Sequence, residues 1–270
     1  MADTAILDVD GTLVDTNYQH ALAWFRAFRR HDITLPLWRL HRGIGMGGDV
    51  FVPTVAGRAV EEAHGDDLRQ AWTEEFDGLI GEVQPLEGAR DLLVALKDRG
   101  FRLVLASSGQ RSHVETFLDL VDGGELADAW TTSEDAETSK PAPDLVAVAL
   151  EKVQGASAVM VGDSVYDVEA AGKLDVPTLA LRTGGFSVEE LTGAGAVRVF
   201  DSLVDLREHL DETPLGRPAA CGPAGVRVGP GGTMAACSSS PTGPPRAPRP
   251  SSSCRSPRSS SPCSSPRSAW

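Results

Sequence analysis

The amino-acid sequence predicts an α/β protein built on a doubly wound parallel sheet, with an inserted all-helical domain and a disordered C-terminal tail. Three observations support this prediction. Short apolar runs with strand character alternate with helical patterns, which is typical of parallel βαβ units. The interval from about residue 15 to residue 85 shows helical spacing and no convincing strand. All 38 acidic residues of the 270-residue chain lie before residue 213, where the composition changes abruptly.

Five apolar runs predict the strands of the sheet, and helical patterns fill the gaps between them. The predicted strands are residues 5–7, 102–106, 158–162, 178–181 and 196–200. The predicted helices of this part are residues 88–99, 143–154 and 164–173. Leu92, Leu93 and Leu96 share one face of the first of these helices, and Gly100 is a suitable residue to end it. Such an arrangement is Rossmann-like.

The inserted helical domain begins soon after the first strand. Thr16 and Gln19 fit the spacing of a helix capping box, and Leu22, Phe25 and Phe28 follow at helical spacing. We therefore divide the chain into an α/β core of residues 1–14 and 86–212, a helical domain of residues 15–85, and a tail of residues 213–270.

Composition excludes several classes of function. No apolar run reaches about 18 residues and no basic-then-apolar leader is visible, so we expect neither a membrane span nor a secretory signal. Residues 1–212 carry all 38 acids and 18 of the 25 bases, a net charge of −20 that would repel nucleic acid. The four cysteines are all in the tail, at Cys221, Cys237, Cys254 and Cys263. We expect a cytoplasmic protein without disulfide or thiol chemistry in its body; monomer and dimer stay open.

The tail supports two hypotheses. It contains 7 Arg, 12 Pro, 13 Ser and no acid, a composition typical of disorder. One hypothesis is a basic segment that binds nucleic acid, which would make the protein a binding module with an enzyme fold as its scaffold. The other is an unselected segment, such as a GC-rich message read past its stop. The absence of lysine and of any zinc-ligand spacing favours the second hypothesis.

The sharpest chemical signal follows the first strand, where Asp8 and Asp10 are two residues apart and Gly11 comes next. Open parallel sheets bind ligands at the carboxyl ends of their strands. Two carboxylates this close repel each other, which favours a bound cation or a raised pKa on one of them. The alternative is an ordinary Asp-Gly turn that closes a strand.

Three further segments add polar groups in chain order. Ser107 and Ser108 follow the second predicted strand, where hydroxyls and free amides could hold a phosphoryl oxygen. Lys140 is one of only four lysines and lies in a proline-stiffened loop, where its point charge suits phosphate. Asp163 and Asp167 lie four residues apart at a strand-to-helix junction, and their oxygens suit Mg²⁺. Singly, each has a structural explanation as a polar loop, a solvated lysine or a helix cap; the ordered set points to a site.

These segments together resemble the four motifs of the haloacid dehalogenase-like (HAD) hydrolase superfamily, over residues 4–210. The segment DVDGTL is similar to the first motif, LASSG to the second, SKPAPD to the third and VGDSVYD to the fourth. The helical insertion resembles the cap domain of the phosphoglycolate-phosphatase and β-phosphoglucomutase-like branch.

The resemblance implies a Mg²⁺-dependent phosphatase that hydrolyses a small phosphorylated metabolite through an aspartyl-phosphate. Asp8 would attack phosphorus, and Asp10 would protonate the leaving oxygen and then activate water. Ser107 and Lys140 would hold the transferring group. The residues implied for Mg²⁺ are Asp8, Asp163, the main-chain carbonyl of Asp10 and, in support, Asp167.

Individual residues distinguish this chain from other branches of the superfamily. The dehalogenases lack an equivalent of Asp10, so its presence argues against dehalogenation. Residues 15–85 contain no lysine for the Schiff base of the phosphonate-cleaving members, which excludes that branch. A β-phosphoglucomutase-like sugar phosphomutase stays open, because Thr16 and His20 match the cap hinge of those enzymes, where the histidine helps to gate the general acid. The alternative for His20 is a half-buried helix residue.

The glycine-rich segment of residues 43–48 bears on the same choice. It does not follow a strand, so it fails as a dinucleotide fingerprint. Met46 occupies the position of a phosphate-binding arginine in those mutases, which favours the phosphatase. We expect this loop to line the cap side of the substrate pocket, with Met46 or His41 touching the leaving group.

Overall fold

The computed structural model describes residues 2–155 and 157–216. The described residues include the first four of the predicted tail, residues 213–216, and Leu215 among them is fully buried in the core. The rest of the tail, and with it both hypotheses for its role, lies outside the described residues. Within the described ranges, no helix combines the length and the apolarity needed to cross a membrane. The cytoplasmic location stays a prediction.

A six-stranded parallel sheet forms the centre of the core, which confirms the predicted fold class. In chain order the strands are β1 (Thr4–Asp8), β2 (Val14–Asp15), β3 (Gln84–Pro85), β4 (Arg102–Ala106), β5 (Ala129–Thr131), β6 (Ala158–Gly162), β7 (Thr178–Leu181) and β8 (Arg198–Phe200). The sheet has the order β5-β4-β1-β6-β7-β8, while β2 and β3 form a separate antiparallel pair. Strands β1 and β6 are buried along their whole length, as expected of parallel strands covered on both faces.

The register of the central strands determines where the polar motifs meet. Leu7 of β1 lies opposite Leu105 of β4 and Val161 of β6. The three strands run parallel, so their carboxyl ends lie at the same edge of the sheet. The residues that follow Asp8, Ala106 and Gly162 are therefore neighbours in space although they are far apart in sequence.

Helices cover both faces of this sheet. In chain order they are α1 (Asn17–Arg30), α2 (Leu37–His41), α3 (Gly48–Ala56), α4 (Arg58–Asp77), α5 (Ala89–Asp98), α6 (Arg111–Leu120), α7 (Gly123–Leu126), α8 (Asp144–Val153), α9 (Val165–Gly172), α10 (Val188–Ala194) and α11 (Leu203–Glu208). Leu7 belongs to an apolar cluster with Leu92 of α5, whereas its neighbour Ile6 belongs to a second cluster with Leu145 of α8. Alternate strand residues thus contribute to two cores.

The segment between β2 and β3 is helical, and it has its own apolar core. Trp24 and Phe28 of α1, Phe51 of α3 and Leu68 of α4 are all buried in it. The short β2–β3 pair joins the two ends of this segment, with Val14 opposite Pro85. The sequence gives no sign of this pair, because two residues per strand are too few to show a period. The division of the chain into domains stays a prediction.

Three local features differ from the sequence analysis. Strand β5 was not expected, because it has only three residues and is half-buried at the sheet edge. Strand β8 begins at Arg198, two residues later than predicted. The predicted capping box does not form: Thr16 precedes α1, but its hydroxyl makes no capping hydrogen bond because it is engaged by Gly11 and Asp10.

Two residues of α6 that differ in burial provide a test of this packing. Phe117 is fully buried, whereas Leu120 on the same helix is 39% exposed. Phe117→Ala should lower the free energy of unfolding by about 3–5 kcal/mol because it leaves a cavity, and Leu120→Ala should change it by about 1 kcal/mol or less. Urea denaturation of the two variants measures both values, and equal losses would contradict the described core.

Candidate active site

A buried lysine links two of the motifs at the carboxyl edge of the sheet. Lys140 is 1% exposed, and its Nζ lies 2.5 Å from Asp8 Oδ1 and 2.7 Å from Asp167 Oδ1. Burial disfavours the ammonium, but the charges of Asp167 and Asp8 outweigh it and raise the pKa of Lys140 above its ordinary value. Lys140 therefore carries a fixed positive charge between two carboxylates.

The buried acids outnumber this one cation. Carboxylate oxygens of Asp8, Asp163 and Asp167 all lie within 4.8 Å of one another, and all three side chains are buried. Burial, with the negative charge of Asp167 in addition, raises the pKa of Asp163 to about 7. Burial and the neighbouring carboxylates also raise the pKa of Asp8, although Lys140 acts against them. Three hard oxygen donors with one lysine leave net negative charge, so the donor set fits a divalent cation such as Mg²⁺.

Two residues that the sequence analysis did not single out hold Asp163 in place. The hydroxyl of Thr12 donates to Asp163 Oδ1 at 3.2 Å, and the amide of Asn17 donates to Asp163 Oδ2 at 2.9 Å. Gly11 lies between these contacts with φ +74°, and a Cβ there would come within 2.1 Å of Asp163 Oδ2. The turn after Asp10 therefore requires glycine. The sequence offers one indication of these two residues, which is their closeness to the first motif: Thr12 belongs to it, and Asn17 begins the helix that follows.

Asp10 is bound through both of its carboxylate oxygens. His20 Nε2 lies 2.8 Å from Oδ1, Thr16 donates to the same oxygen at 3.3 Å, and Ser107 donates to Oδ2 at 2.7 Å. Burial opposes ionisation, but the hydrogen bonds from His20 and Ser107 outweigh it and lower the pKa of Asp10. The first motif thus contains two carboxyls whose pKa values are shifted in opposite directions.

The two serines of the second motif take different positions. Ser107 is fully buried, and its hydroxyl is shared between Asp10 and the amide of Gly109, which donates to it at 2.9 Å. Ser108 lines a cavity above Asp8 instead. In this arrangement Ser107 orients Asp10, and the phosphate-binding role proposed for it from the sequence stays a prediction.

His20 is more deeply buried than the half-buried alternative suggested. It is 8% exposed, and its ring stacks on Phe76 of α4 at 4.2 Å between centroids and on Trp72 at 5.6 Å. The stacking leaves Nε2 directed at Asp10. The aromatic side chains of α4 therefore determine the position of the imidazole.

A cavity of about 360 Å³ opens above Asp8 and Asp10, a size typical of small-ligand sites. Met46 and Lys140 are among its lining residues, and contact between Met46 and a leaving group stays a prediction. His41 is not among the lining residues: its ring stacks on Tyr18 with centroids 4.8 Å apart and lies against Gly185. Contact between His41 and a leaving group has no support from this arrangement.

The glycine-rich loop lies against the core at the rim of this cavity. A Cβ on Gly47 would come within 2.1 Å of the Ser139 hydroxyl, next to Lys140. A Cβ on Gly45 would come within 2.8 Å of the Ser164 hydroxyl. Small residues therefore allow the loop to approach the third and fourth motifs closely.

Comparison with known proteins identifies the family to which this geometry belongs. A model of the family described as haloacid dehalogenase-like hydrolase matches residues 2–175. The chain belongs to the HAD-like hydrolase family. The predicted resemblance is thereby confirmed, and the protein is a hydrolase.

Several known proteins are similar to this chain along most of their length. Validoxylamine A 7'-phosphate phosphatase of Streptomyces hygroscopicus subsp. limoneus is 25% identical over 197 residues, covering 68% of this chain and 87% of the relative. The plasmid phosphoglycolate phosphatase of Cupriavidus necator is 30% identical over 236 residues, covering 82% and 96%. The crystal structure of a hydrolase from Pseudomonas syringae has 30% identity and a TM-score of 0.74, covering 77% of this chain and 98% of that one.

The buried cation can be tested in the absence of metal. In EDTA at pH 8, Lys140→Met should lose about 3–5 kcal/mol of stability because it leaves buried carboxylates unpaired. The loss should shrink at pH 6. The folded-state pKa of Asp163 is already about 7, and a raised pKa destabilises the fold only where the carboxyl is ionised.

Urea denaturation at the two pH values measures this effect. Lys152→Met is the matched control, because Lys152 pairs with Asp135 at 2.8 Å on the surface, where its side chain is 33% exposed. The control should lose far less stability, and its loss should not depend on pH in this range. A Lys140→Met loss that is as small as the control, or constant with pH, would contradict the described charge balance.

Proposed function

We propose that this HAD-like hydrolase is a Mg²⁺-dependent phosphatase of small phosphate monoesters that acts through a phosphorylated Asp8. The observation that carries the proposal is the position of Asp8. It lies at the floor of the cavity, paired with Lys140 and within reach of Asp163 and Asp167. Phosphoryl transfer depends mainly on positioning and on neutralisation of charge, which this cluster can supply.

The nucleophilic step uses the carboxylate of Asp8. One oxygen attacks phosphorus, the bond from phosphorus to the substrate oxygen breaks, and the phosphoryl group becomes attached to Asp8. Lys140 is the fixed cation beside both the nucleophile and the incoming phosphate. Mg²⁺, when bound, would be held by Asp8, Asp163, Asp167 and the carbonyl of Asp10, and would neutralise charge on the phosphate.

The proton steps use Asp10 and His20. The leaving oxygen needs a proton, yet hydrogen bonds lower the pKa of Asp10 and favour its ionised form. His20 Nε2, 2.8 Å from Asp10 Oδ1, is the contacting group that can pass a proton to it. After departure of the alcohol, ionised Asp10 accepts a proton from water, the water oxygen attacks phosphorus, and Asp8 and inorganic phosphate are released.

The lining of the cavity favours a phosphatase over a phosphomutase. A mutase must hold a second phosphate at the far end of its substrate. Among the lining residues in the described part of the chain, Lys140 and Arg69 are the only lysine or arginine side chains. Lys140 is paired with Asp8 and Asp167, and Arg69 is paired with Glu61 at 3.0 Å. The His20–Asp10 contact is compatible with either reaction, so it does not decide between them.

Removal of the nucleophile tests the chemistry. Asp8→Asn should lower the turnover of p-nitrophenyl phosphate by at least about 10³-fold, because the neutral amide cannot attack phosphorus. The fold should be retained, since the substitution keeps the shape of the side chain. Phosphate release by this variant is compared with release by Asp98→Asn, whose side chain is exposed on α5. Undiminished turnover by Asp8→Asn would exclude the mechanism.

Metal binding is tested without reference to activity. Mg²⁺ at 100 times its Kd should stabilise the wild-type protein by about 2.7 kcal/mol, since it binds the folded state. Asp163→Asn removes one of the three buried carboxylates and should lose most of this stabilisation. Thermal unfolding in EDTA and in Mg²⁺ measures it, again with Asp98→Asn as the control. An equal gain in both variants would place the ion elsewhere.

A further inference from the structure

The lining of the cavity carries negative charge in addition to the carboxylates of the phosphate site. Asp49, at the start of α3, and Glu137, in the loop before Lys140, both line the cavity. Asp49 accepts a hydrogen bond from the amide of Ser139 at 3.3 Å. Within the described residues, neither carboxylate forms an ion pair with a lysine or arginine. A substrate in the cavity therefore faces two uncompensated negative charges beyond its phosphate.

The cations of the cavity are not available to offset these charges. Arg69 is the lining cation on the cap side, and its guanidinium lies 3.0 Å from Glu61 and 2.7 Å from Asp66. It also donates to the carbonyl of Gly48 at 3.3 Å. Lys140 belongs to the phosphate site already described. A second anionic group on the substrate would thus meet carboxylates and find no free cation.

Two indoles supply apolar surface to the same cavity. Trp24 of α1 and Trp72 of α4 both line the cavity, and their rings are stacked with centroids 5.5 Å apart and 22° between planes. Trp24 also stacks on Phe51 at 4.7 Å and Trp72 on Phe76 at 5.4 Å, so the faces of the indoles are covered and their edges supply apolar surface that can pack against a carbon skeleton. A cavity lined by carboxylates and by apolar indole edges is therefore complementary to a hydroxylated or amine-bearing skeleton.

From these observations we infer the substrate class of the site. The group that leaves from phosphorus is a hydroxylated carbon skeleton, such as a sugar or cyclitol, that bears an amine or no charge. It carries neither a carboxylate nor a second phosphate. The inference rests on the proposed phosphatase function, and it assigns Asp49 and Glu137 as the residues that exclude anionic leaving groups. The inferred substrate therefore differs from phosphoglycolate, the compound named for the relative from Cupriavidus necator, because phosphoglycolate bears a carboxylate.

Three six-carbon sugar phosphates test this inference, with the variants below separating the effect of charge from that of the open chain of 6-phosphogluconate. Glucosamine 6-phosphate, glucose 6-phosphate and 6-phosphogluconate carry the same phosphate position with an amine, no added charge or a carboxylate. Each is measured as a competitor of p-nitrophenyl phosphate hydrolysis in Mg²⁺, so that binding is ranked even for a compound that is not turned over. The inhibition constant of 6-phosphogluconate should exceed that of glucosamine 6-phosphate by about tenfold, because two exposed carboxylates attract the amine and repel the carboxylate.

Two double variants assign the discrimination to specific residues. Asp49→Asn with Glu137→Gln should reduce the ratio of the two inhibition constants to about threefold or less, because the local charges are gone. Glu62→Gln with Asp67→Asn removes the same net charge from exposed positions of α4 outside the cavity lining. That control should keep the wild-type ratio.

The outcomes separate the inference from the function on which it rests. If p-nitrophenyl phosphate is hydrolysed but 6-phosphogluconate competes as well as or better than glucosamine 6-phosphate, the inference is wrong and the phosphatase function stands. The inference is equally overturned if none of the three compounds competes, or if the control changes the ratio as much as the cavity variant does. If p-nitrophenyl phosphate itself is not hydrolysed, the proposed function fails and the inference falls with it.

Discussion

The structure depends on a buried charge balance in which Lys140 lies between Asp8 and Asp167. An ammonium out of water is costly unless carboxylates surround it, and the carboxylates are equally costly without the ammonium. Asp163 adds a further negative charge, which is why its pKa is raised. Each of these charged side chains is therefore stable in the interior only when the others are present. A divalent cation would neutralise the remaining negative charge. Asp8 is one of the carboxylates that would hold this cation. The nucleophile would therefore lie next to the metal charge that neutralises a bound phosphate.

The fold creates this set by bringing strand ends together. Parallel pairing of β1 with β4 and β6 places the first, second and fourth motifs at one edge of the sheet. The helical segment adds His20 to the site. Its ring stacks on Phe76, and its Nε2 contacts Asp10. Because α1 carries both Asn17 and His20, one helix contacts Asp163 through its first turn and Asp10 through its second. Core and helical segment are thus linked by the groups on which the proposed chemistry depends.

Much of this arrangement follows from local sequence patterns, and the remainder does not. Continuous apolar runs predict the buried strands, and the acids after them predict polar groups at the sheet edge. Patterns of this kind carry no information on pairing across more than a hundred residues, so the contacts of Thr12 and Asn17 with Asp163 were missed. The hydroxyl of Thr16 fitted a capping box by spacing, yet tertiary contacts with Gly11 and Asp10 displaced that local bond. His41 fitted the pocket by its nearness to the glycine-rich loop, but stacking on Tyr18 holds it elsewhere.

The central claim is that Asp8 becomes phosphorylated, and mass spectrometry tests it most directly. Asp10→Asn should slow hydrolysis of the intermediate, because no base remains to activate water. With p-nitrophenyl phosphate, whose leaving group departs without a proton, the acid-quenched variant should carry one phosphoryl group on the peptide that contains Asp8. Phosphorylation at another residue such as His20, or continued turnover with no labelled peptide, would contradict the account.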